Sequence, residues 1–292
     1  MRMGPTICQH AGVVLAGLAM VVLAAATWGT WSLFLRPTHL GAPVTSLLLF
    51  LVMGLAALPW ALHRLRAGRW DRTTAALLLA HGAFDAINVL AFFSAISHTT
   101  VQIAVLTHYL APILIAVAAP YIEKSTVRGT GPAACVALAG LVVVLEPWRA
   151  PAAGALVGAA LGATSAVCYA GNVFALRRLV GRIGAAGALS FHSLIAVVIL
   201  VPLAVGDLGA ISGHDLGLVV AGSVLAGAIA GGLFNVGLGR IGSARAAVLT
   251  YAEPLVAVTI GALVWDEPLH PLAVLGGAMV LGAGVHVARK AR

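Results

Sequence analysis

Apolar residues run along the chain in long blocks, separated by short polar or Pro/Gly-rich intervals. Ten blocks can be drawn, at approximately 13–35, 43–63, 74–97, 101–121, 130–146, 152–176, 185–205, 216–239, 245–265 and 270–288. An α-helix needs about 20 mostly apolar residues to cross a bilayer, so the pattern predicts ten transmembrane helices. The connections are too short to hold a soluble domain or a nucleotide-binding site. Within the third block, HGAFDAINVLAFF (81–93), the polar positions are not scattered. His81, Asp85 and Asn88 follow at intervals of four and three, which puts them on one helical face, and Phe92 extends that face.

Composition agrees with the pattern. Of 292 residues, 61% are hydrophobic and 9% charged, and the mean hydropathy is +1.04. A soluble domain has about 25% charged residues, so the solvent for most of this chain is lipid. The segment MRMGPTICQH precedes an apolar run that ends in WSLFLRP rather than in a small-residue cleavage site. It therefore reads as a retained first span.

Charge adds orientation. The net charge is +8, but the basic residues lie in short clusters between apolar runs, not on one face of a folded domain as nucleic-acid binding would need. Only Arg36 and Arg149 of the 17 Lys and Arg fall in alternate loops. The others share the side of the N-terminus. By the positive-inside rule both termini are cytoplasmic and the number of spans is even, as in a multi-pass protein of the cell (inner) membrane. Cys8, Cys135 and Cys168 lack CxxC spacing and imply neither a disulfide nor a metal framework.

The chain also repeats. AVLTHYLAPILIAV (104–117) aligns with AVLTYAEPLVAV (247–258), placing Tyr109 on Tyr251 and Pro112 on Pro254, 142 residues apart. The same offset sets Phe92 on Phe234, and an offset of 141 sets Trp28 on Tyr169. Two units of five spans follow, 1–146 and 147–292. Because five is odd, the second enters the membrane from the opposite side. The expected fold is an all-α membrane protein of two inverted five-helix repeats, a device of secondary transporters.

At this point the residues resemble a known family. RIGSARAAVLTYAEPLVAVTIGALVWDEPLHPLAVLGGAMVLGAGV (240–285) is similar to the C-terminal EamA signature of the drug/metabolite transporter superfamily. SAISHTTVQIAVLTHYLAPILIAVAAPYIEK (94–124) repeats it more weakly. The resemblance spans nearly the whole chain and implies transport, by preference export, of amino acids, metabolites or toxic compounds. Two departures stand out. Ala111 occupies the first-half position of Glu253, and the His81/Asp85 pair is not part of the family pattern.

Several polar side chains lie at membrane depth, where an ionisable group costs about 2.5–3.5 kcal/mol on insertion scales. His81, Asp85, Asn88 and Phe92 are expected to line a hydrated cavity; a closed His81–Asp85 structural pair and a metal half-site with His108 are the alternatives. Pro112 and Pro254 each remove a helix hydrogen bond and loosen the carbonyl four residues back, at His108 and Thr250. Such carbonyls are tolerated in a membrane only beside protein or water, so His108, Tyr109, Tyr251 and Glu253 are cavity candidates. A packing kink and a structural strut are the plainer readings. Trp28 and Trp31 in the first span, and Ser165, Tyr169 and Asn172 in the sixth, are expected to face one another by repeat symmetry. The tryptophans could equally belong to an interfacial belt. Asn235 is a weaker candidate, and His192 reads as a hydrogen-bonded core residue. Gly154, Gly158 and Gly162, and Gly227 with Gly231, form ridges for close helix contact.

The candidate substrate-binding set is thus Trp28, Trp31, His81, Asp85, Asn88, Phe92, His108, Tyr109, Tyr169, Asn172, Tyr251 and Glu253. The expected activity is gradient-driven transport of a small zwitterion or amphipathic organic compound by alternating access, with protons as the coupling ion or with passive exchange. No cofactor, no structural metal, no catalytic residue and no nucleic-acid partner are expected; lipid surrounds a monomer or homodimer. An intramembrane enzyme would need a motif such as GxSxG, HExxH or GxGD with a second Asp, and the chain has none. A scaffold or sensor would need neither the repeat nor polar residues on several central helices.

Overall fold

A computed structural model describes residues 5–124, 129–149, 154–266 and 270–290. Among these residues the structure is helical throughout and contains no strand. The helices are α1 (Pro5–Trp28), α2 (Ser32–Leu35), α3 (Ala42–His63), α4 (Arg72–His98), α5 (Val101–His108), α6 (Ala111–Ile122), α7 (Thr130–Leu145), α8 (Ala155–Ala204), α9 (Gly213–Gly222), α10 (Ala230–Ile241), α11 (Ser243–Leu249), α12 (Ala252–Val264) and α13 (Pro271–Arg289). A π-helical stretch, Ser223–Ile229, joins α9 to α10. Counted as continuous apolar stretches, nine described segments are long enough to cross a membrane. The family-like loop residues Glu267–Leu269, together with Arg2, Arg128 and Arg292, lie outside the described residues.

The count of nine against the ten sequence blocks turns on α8. Its 50 residues would measure about 75 Å if straight, more than twice the roughly 30 Å hydrocarbon core of a bilayer. It is not one rod. Gly184, at φ 76° and ψ 168°, leaves the helical region, and two helices meet there. Only glycine takes such a backbone without strain. Where the sequence predicts an interval between blocks, the chain turns on a single residue.

Two other blocks are interrupted in mid-course. The fourth breaks between α5 and α6 at Tyr109–Leu110, and the ninth between α11 and α12 at Thr250–Tyr251. Pro112 and Pro254 stand just beyond the breaks. Each lacks the amide hydrogen that would continue the ladder. The Thr250 carbonyl does not stay loose, however: it accepts from Glu253 N in a tighter turn, at 3.0 Å.

The helices pair across the middle of the sequence. α3 and α4 pack on α8, α1 packs on α10, and α7 packs on α13. The segments 1–146 and 147–292 therefore interleave and do not stand apart as two lobes. At the α7–α13 crossing the backbones almost touch. A Cβ on Gly140 would lie 2.6 Å from the Gly276 carbonyl oxygen, and one on Gly276 would lie 2.3 Å from that of Gly140. Large apolar side chains such as Leu156 and Leu263, 85% and 78% exposed, cover the outside, as a lipid-facing surface requires.

At one end of the bundle Asp71 caps α4, accepting from Thr74 N at 2.9 Å, and pairs with Arg182 near the corner of α8. The Thr74 amide, and then Arg182, hold the Asp71 carboxyl at about 2, below the usual carboxylate range. At the other end Glu146 pairs with Arg149 and, at 2.9 Å, with His270, the residue that caps α13.

Candidate functional site

The interleaved helices leave a central cavity of about 180 Å³. The breaks in the helices aim at it. Tyr109 and Pro112 come from the α5–α6 break, Thr250 and Glu253 from the α11–α12 break, and Ala226 and Gly227 from the π-helical stretch. Gly29, where α1 ends, lets the chain pass against the second break. A Cβ there would lie 2.6 Å from both the Glu253 carbonyl oxygen and the Val256 Cβ.

Eleven of the twelve sequence candidates line this one cavity: Trp28, Trp31, His81, Asp85, Asn88, Phe92, His108, Tyr109, Tyr169, Asn172 and Glu253. Tyr251 does not. It is fully buried, and its hydroxyl donates to the Tyr109 carbonyl at 2.9 Å. The two rings, equivalent by the 142-residue offset, lie 5.4 Å apart. Tyr251 is thus a strut that satisfies the backbone opened at the other break.

The polar face of α4 meets α8. Asp85 Oδ1 accepts from Asn172 Nδ2 at 2.6 Å and from Asn88 Nδ2 at 3.3 Å. Asp85 Oδ2 lies 2.9 Å from His192 Nε2. His81 is not the partner of Asp85. Its ring stacks on His192, with centroids 3.9 Å apart, and neither of its nitrogens has a hydrogen bond of good geometry within the protein. The metal half-site is not formed either: among the described residues no group of three or more His, Cys, Asp or Glu is placed to hold a metal ion.

A second strand of hydrogen bonds reaches Asp85 from α5. Ser165 Oγ donates to Asn88 Oδ1 at 2.8 Å, and His108 Nδ1 lies 2.7 Å from Ser165 Oγ. Ser165 has one hydroxyl hydrogen and it is used on Asn88, so His108 Nδ1 must be the donor. His108 also packs against Phe92, with centroids 4.7 Å apart, and Tyr169, 5.6 Å.

The rest of the wall is aromatic or aliphatic. Trp28 packs on Phe234 at 5.0 Å, and Phe50, Met53, Leu49 and Leu189 close one side. Two carboxyl groups, Asp85 and Glu253, face the cavity, and its lining residues include no lysine or arginine. The buried Tyr109 hydroxyl and Asn172 Oδ1 also lack a well-formed partner in the protein. In looser geometry the Tyr109 hydroxyl interacts with the Glu253 carboxyl, and the His81 ring with the Asn172 side chain.

The EamA-like transporter family model matches this chain twice, over residues 15–145 and 156–288. The chain belongs to the EamA-like transporter family. A protein from Archaeoglobus fulgidus, described as an uncharacterized transporter, is 31% identical over 277 residues, covering 93% of this chain and 96% of its own. A crystal structure of a protein 20% identical to this chain superposes with a TM-score of 0.78 over 95% of this chain and 97% of the other, a likeness of fold. The chain is accordingly a multi-pass membrane transporter built from two EamA units.

Within this EamA transporter, sequence reasoning missed His192 as the partner of Asp85, and Phe50, Met53, Leu49 and Leu189 as wall residues. The apolar four carry no signal that separates a cavity wall from lipid contact. For His192 a signal exists. Ser190, His192 and Ser193 form a polar cluster at the middle of an apolar span, and all three are almost fully buried.

Proposed function

We propose that this EamA-family protein is a secondary transporter that exports a small zwitterion or amphipathic organic compound from the cell, coupled to protons. The carrying observation is the central cavity: polar and aromatic residues from both EamA units converge on it, with two carboxyl groups and no lysine or arginine. A carboxylate-lined, aromatic-walled site favours ligands with an ammonium group and an apolar body. Of the twelve sequence-nominated residues, the eleven in the wall are the proposed binding set, and Tyr251 braces the Tyr109 carbonyl behind it. Small polar groups within an apolar wall are what a site of this size uses to orient its ligand.

Ten crossings, with α8 counted as two, two inverted five-helix repeats and cytoplasmic termini complete the proposal. The breaks at Tyr109 and Tyr251, 142 residues apart and side by side, support it, because equivalent elements meet where a two-fold axis would pass. Exchange of conformations between such units is how alternating access arises. Export follows from the family resemblance, and the inner membrane follows from the charge pattern.

The test is a thermal-shift screen of the purified protein against amino acids and amphipathic amines, followed by counterflow of each hit in proteoliposomes. A hit that exchanges across the bilayer, and loses exchange in Glu253→Gln or Trp28→Ala, is the expected result. A protein stabilised by none of these compounds, with no counterflow, overturns the reading.

A further inference from the structure

The geometry points to a proton-binding latch in the cavity wall: one proton held between Asp85 Oδ2 and His192 Nε2 joins α4 to the second half of α8, and its departure unfastens them. The inference deepens the proton-coupling part of the transport reading, on which its purpose rests, but the site follows from donor and acceptor accounting alone.

His192 Nδ1 lies 2.6 Å from the Ala188 carbonyl oxygen. A carbonyl only accepts, so Nδ1 carries a hydrogen. The neutral ring then has a bare lone pair at Nε2, and this atom faces Asp85 Oδ2 at 2.9 Å. A carboxylate oxygen also only accepts. Two lone pairs at hydrogen-bond distance repel, so the contact needs one proton. Imidazolium with carboxylate and imidazole with carboxylic acid both supply it, and both leave the pair neutral. When the proton leaves, the pair carries one negative charge and its hydrogen bond becomes a repulsion.

The surroundings fix the direction. Every other donor to Asp85 points at Oδ1: Asn172 Nδ2, and Asn88 Nδ2 at the end of the run from His108 through Ser165. Oδ2 is left for the proton. The Ser193 hydroxyl hydrogen is donated to Leu189 O at 2.6 Å, so it does not supply His192 Nε2. The titratable groups facing the pair are His81 on α4, stacked on the His192 ring, Tyr169 on the first half of α8, His108 on α5, Tyr109 at the α5–α6 break, and Glu253 on α12. From α3 Phe50 lies edge-on to His192, and α10 brings Phe234 and Asn235 to the same cavity. No lysine or arginine of the wall is there to replace the proton. Asp85 belongs to the first EamA unit and His192 to the second, so the proton ties the two units together beside the substrate space.

The experiment follows the ring nitrogens of the full-length protein in detergent by 15N-histidine NMR over about pH 5–8, the range in which histidine charge ordinarily changes. His192→Gln identifies the His192 resonances. We expect His192 Nδ1 to stay protonated throughout, with Nε2 switching between proton-bearing and bare in one step. In Asp85→Asn the amide can donate to Nε2, so the step is lost and Nε2 stays bare. A His192 that titrates alike in both proteins, or that has a bare Nδ1, overturns the latch. Counterflow of L-phenylalanine and of tetraphenylphosphonium in proteoliposomes then reads its consequence. The pH dependence of exchange should be lost in His192→Gln, whose amide donates to Asp85 permanently. A pH dependence kept in His192→Gln refutes the latch while leaving transport intact. Absence of exchange of either probe by the unaltered protein, together with the NMR step, upholds the latch and counts against the transport reading.

Discussion

Tyr251 and Asp85 show how far a single residue's meaning depends on its neighbours. Both are polar groups at membrane depth, and both are marked by sequence for the same cavity. Asp85 reaches it; Tyr251 turns inward to the Tyr109 carbonyl. Removing the Tyr251 hydroxyl leaves a buried carbonyl without its donor, which costs about 1–3 kcal/mol. Tyr251→Phe should therefore lower the Tm of the purified protein while leaving the midpoint of ligand binding at the cavity unchanged. A variant with unaltered Tm but weakened binding would return Tyr251 to the wall. The polar stripe on α4 was legible because 3.6-residue periodicity is local. The partner of that stripe was not, since His192 lies 107 residues away and nothing in its own span selects Asp85 over the lipid-facing alternatives.

At the scale of elements, proline and glycine mark the departures from straight helix, and most of them were visible in advance. Pro112 and Pro254 predicted interruptions where α5 meets α6 and α11 meets α12. The two glycine ridges picked out in the sequence do make close contacts. Cβ atoms on Gly158 and Gly162 would lie 2.0 Å from the Thr99 side chain and 1.9 Å from that of Thr107, and one on Gly227 would lie 2.9 Å from Leu49. The contact between Gly140 and Gly276 was not anticipated, because neither sits in a small-xxx-small run with the other. Val at position 140 would force α7 away from α13, and overpacking of this kind costs about 1–3 kcal/mol. Gly140→Val should unfold at lower temperature than the parent, and Gly140→Ala by a smaller margin, in a fluorescence melt. Equal melting of all three would mean that the crossing is looser than the structure has it. The π-helical stretch left no mark in the hydropathy pattern, since a single extra residue per turn changes neither the length nor the polarity of the block.

For the molecule as a whole, the proposed topology assigns opposite sides of the membrane to the two ends of the bundle. Arg66 lies at the end bearing Asp71 and Arg182, and Trp148 at the end bearing Glu146 and His270; both residues are exposed. In a background with Cys8, Cys135 and Cys168 replaced by Ala, Trp148→Cys should react with a membrane-impermeant maleimide in intact cells. Arg66→Cys should react only after permeabilisation. The reverse pattern would invert the molecule, and labelling of both in intact cells would contradict the three crossings that the proposal puts between them. The charge asymmetry on which this rests is read from the loops alone. The interleaving of the two EamA units is not. α1 with α10, and α7 with α13, are choices among many apolar faces of similar character.

The sequence by itself determined that this chain lives in lipid, that it is helical, that it is made of two related units, and which spans carry polar groups at depth. Hydropathy, periodicity and proline positions are local quantities, each decided within some twenty residues. The tertiary structure alone decided which polar groups meet. It turned Tyr251 into a strut, left His81 stacked and without a well-formed hydrogen bond, and set His192 against Asp85. Apolar helix faces are nearly interchangeable as partners in lipid, where van der Waals fit and a few hydrogen bonds choose the pairing. Those choices depend on the shape of every neighbouring helix at once, and no stretch of sequence contains them.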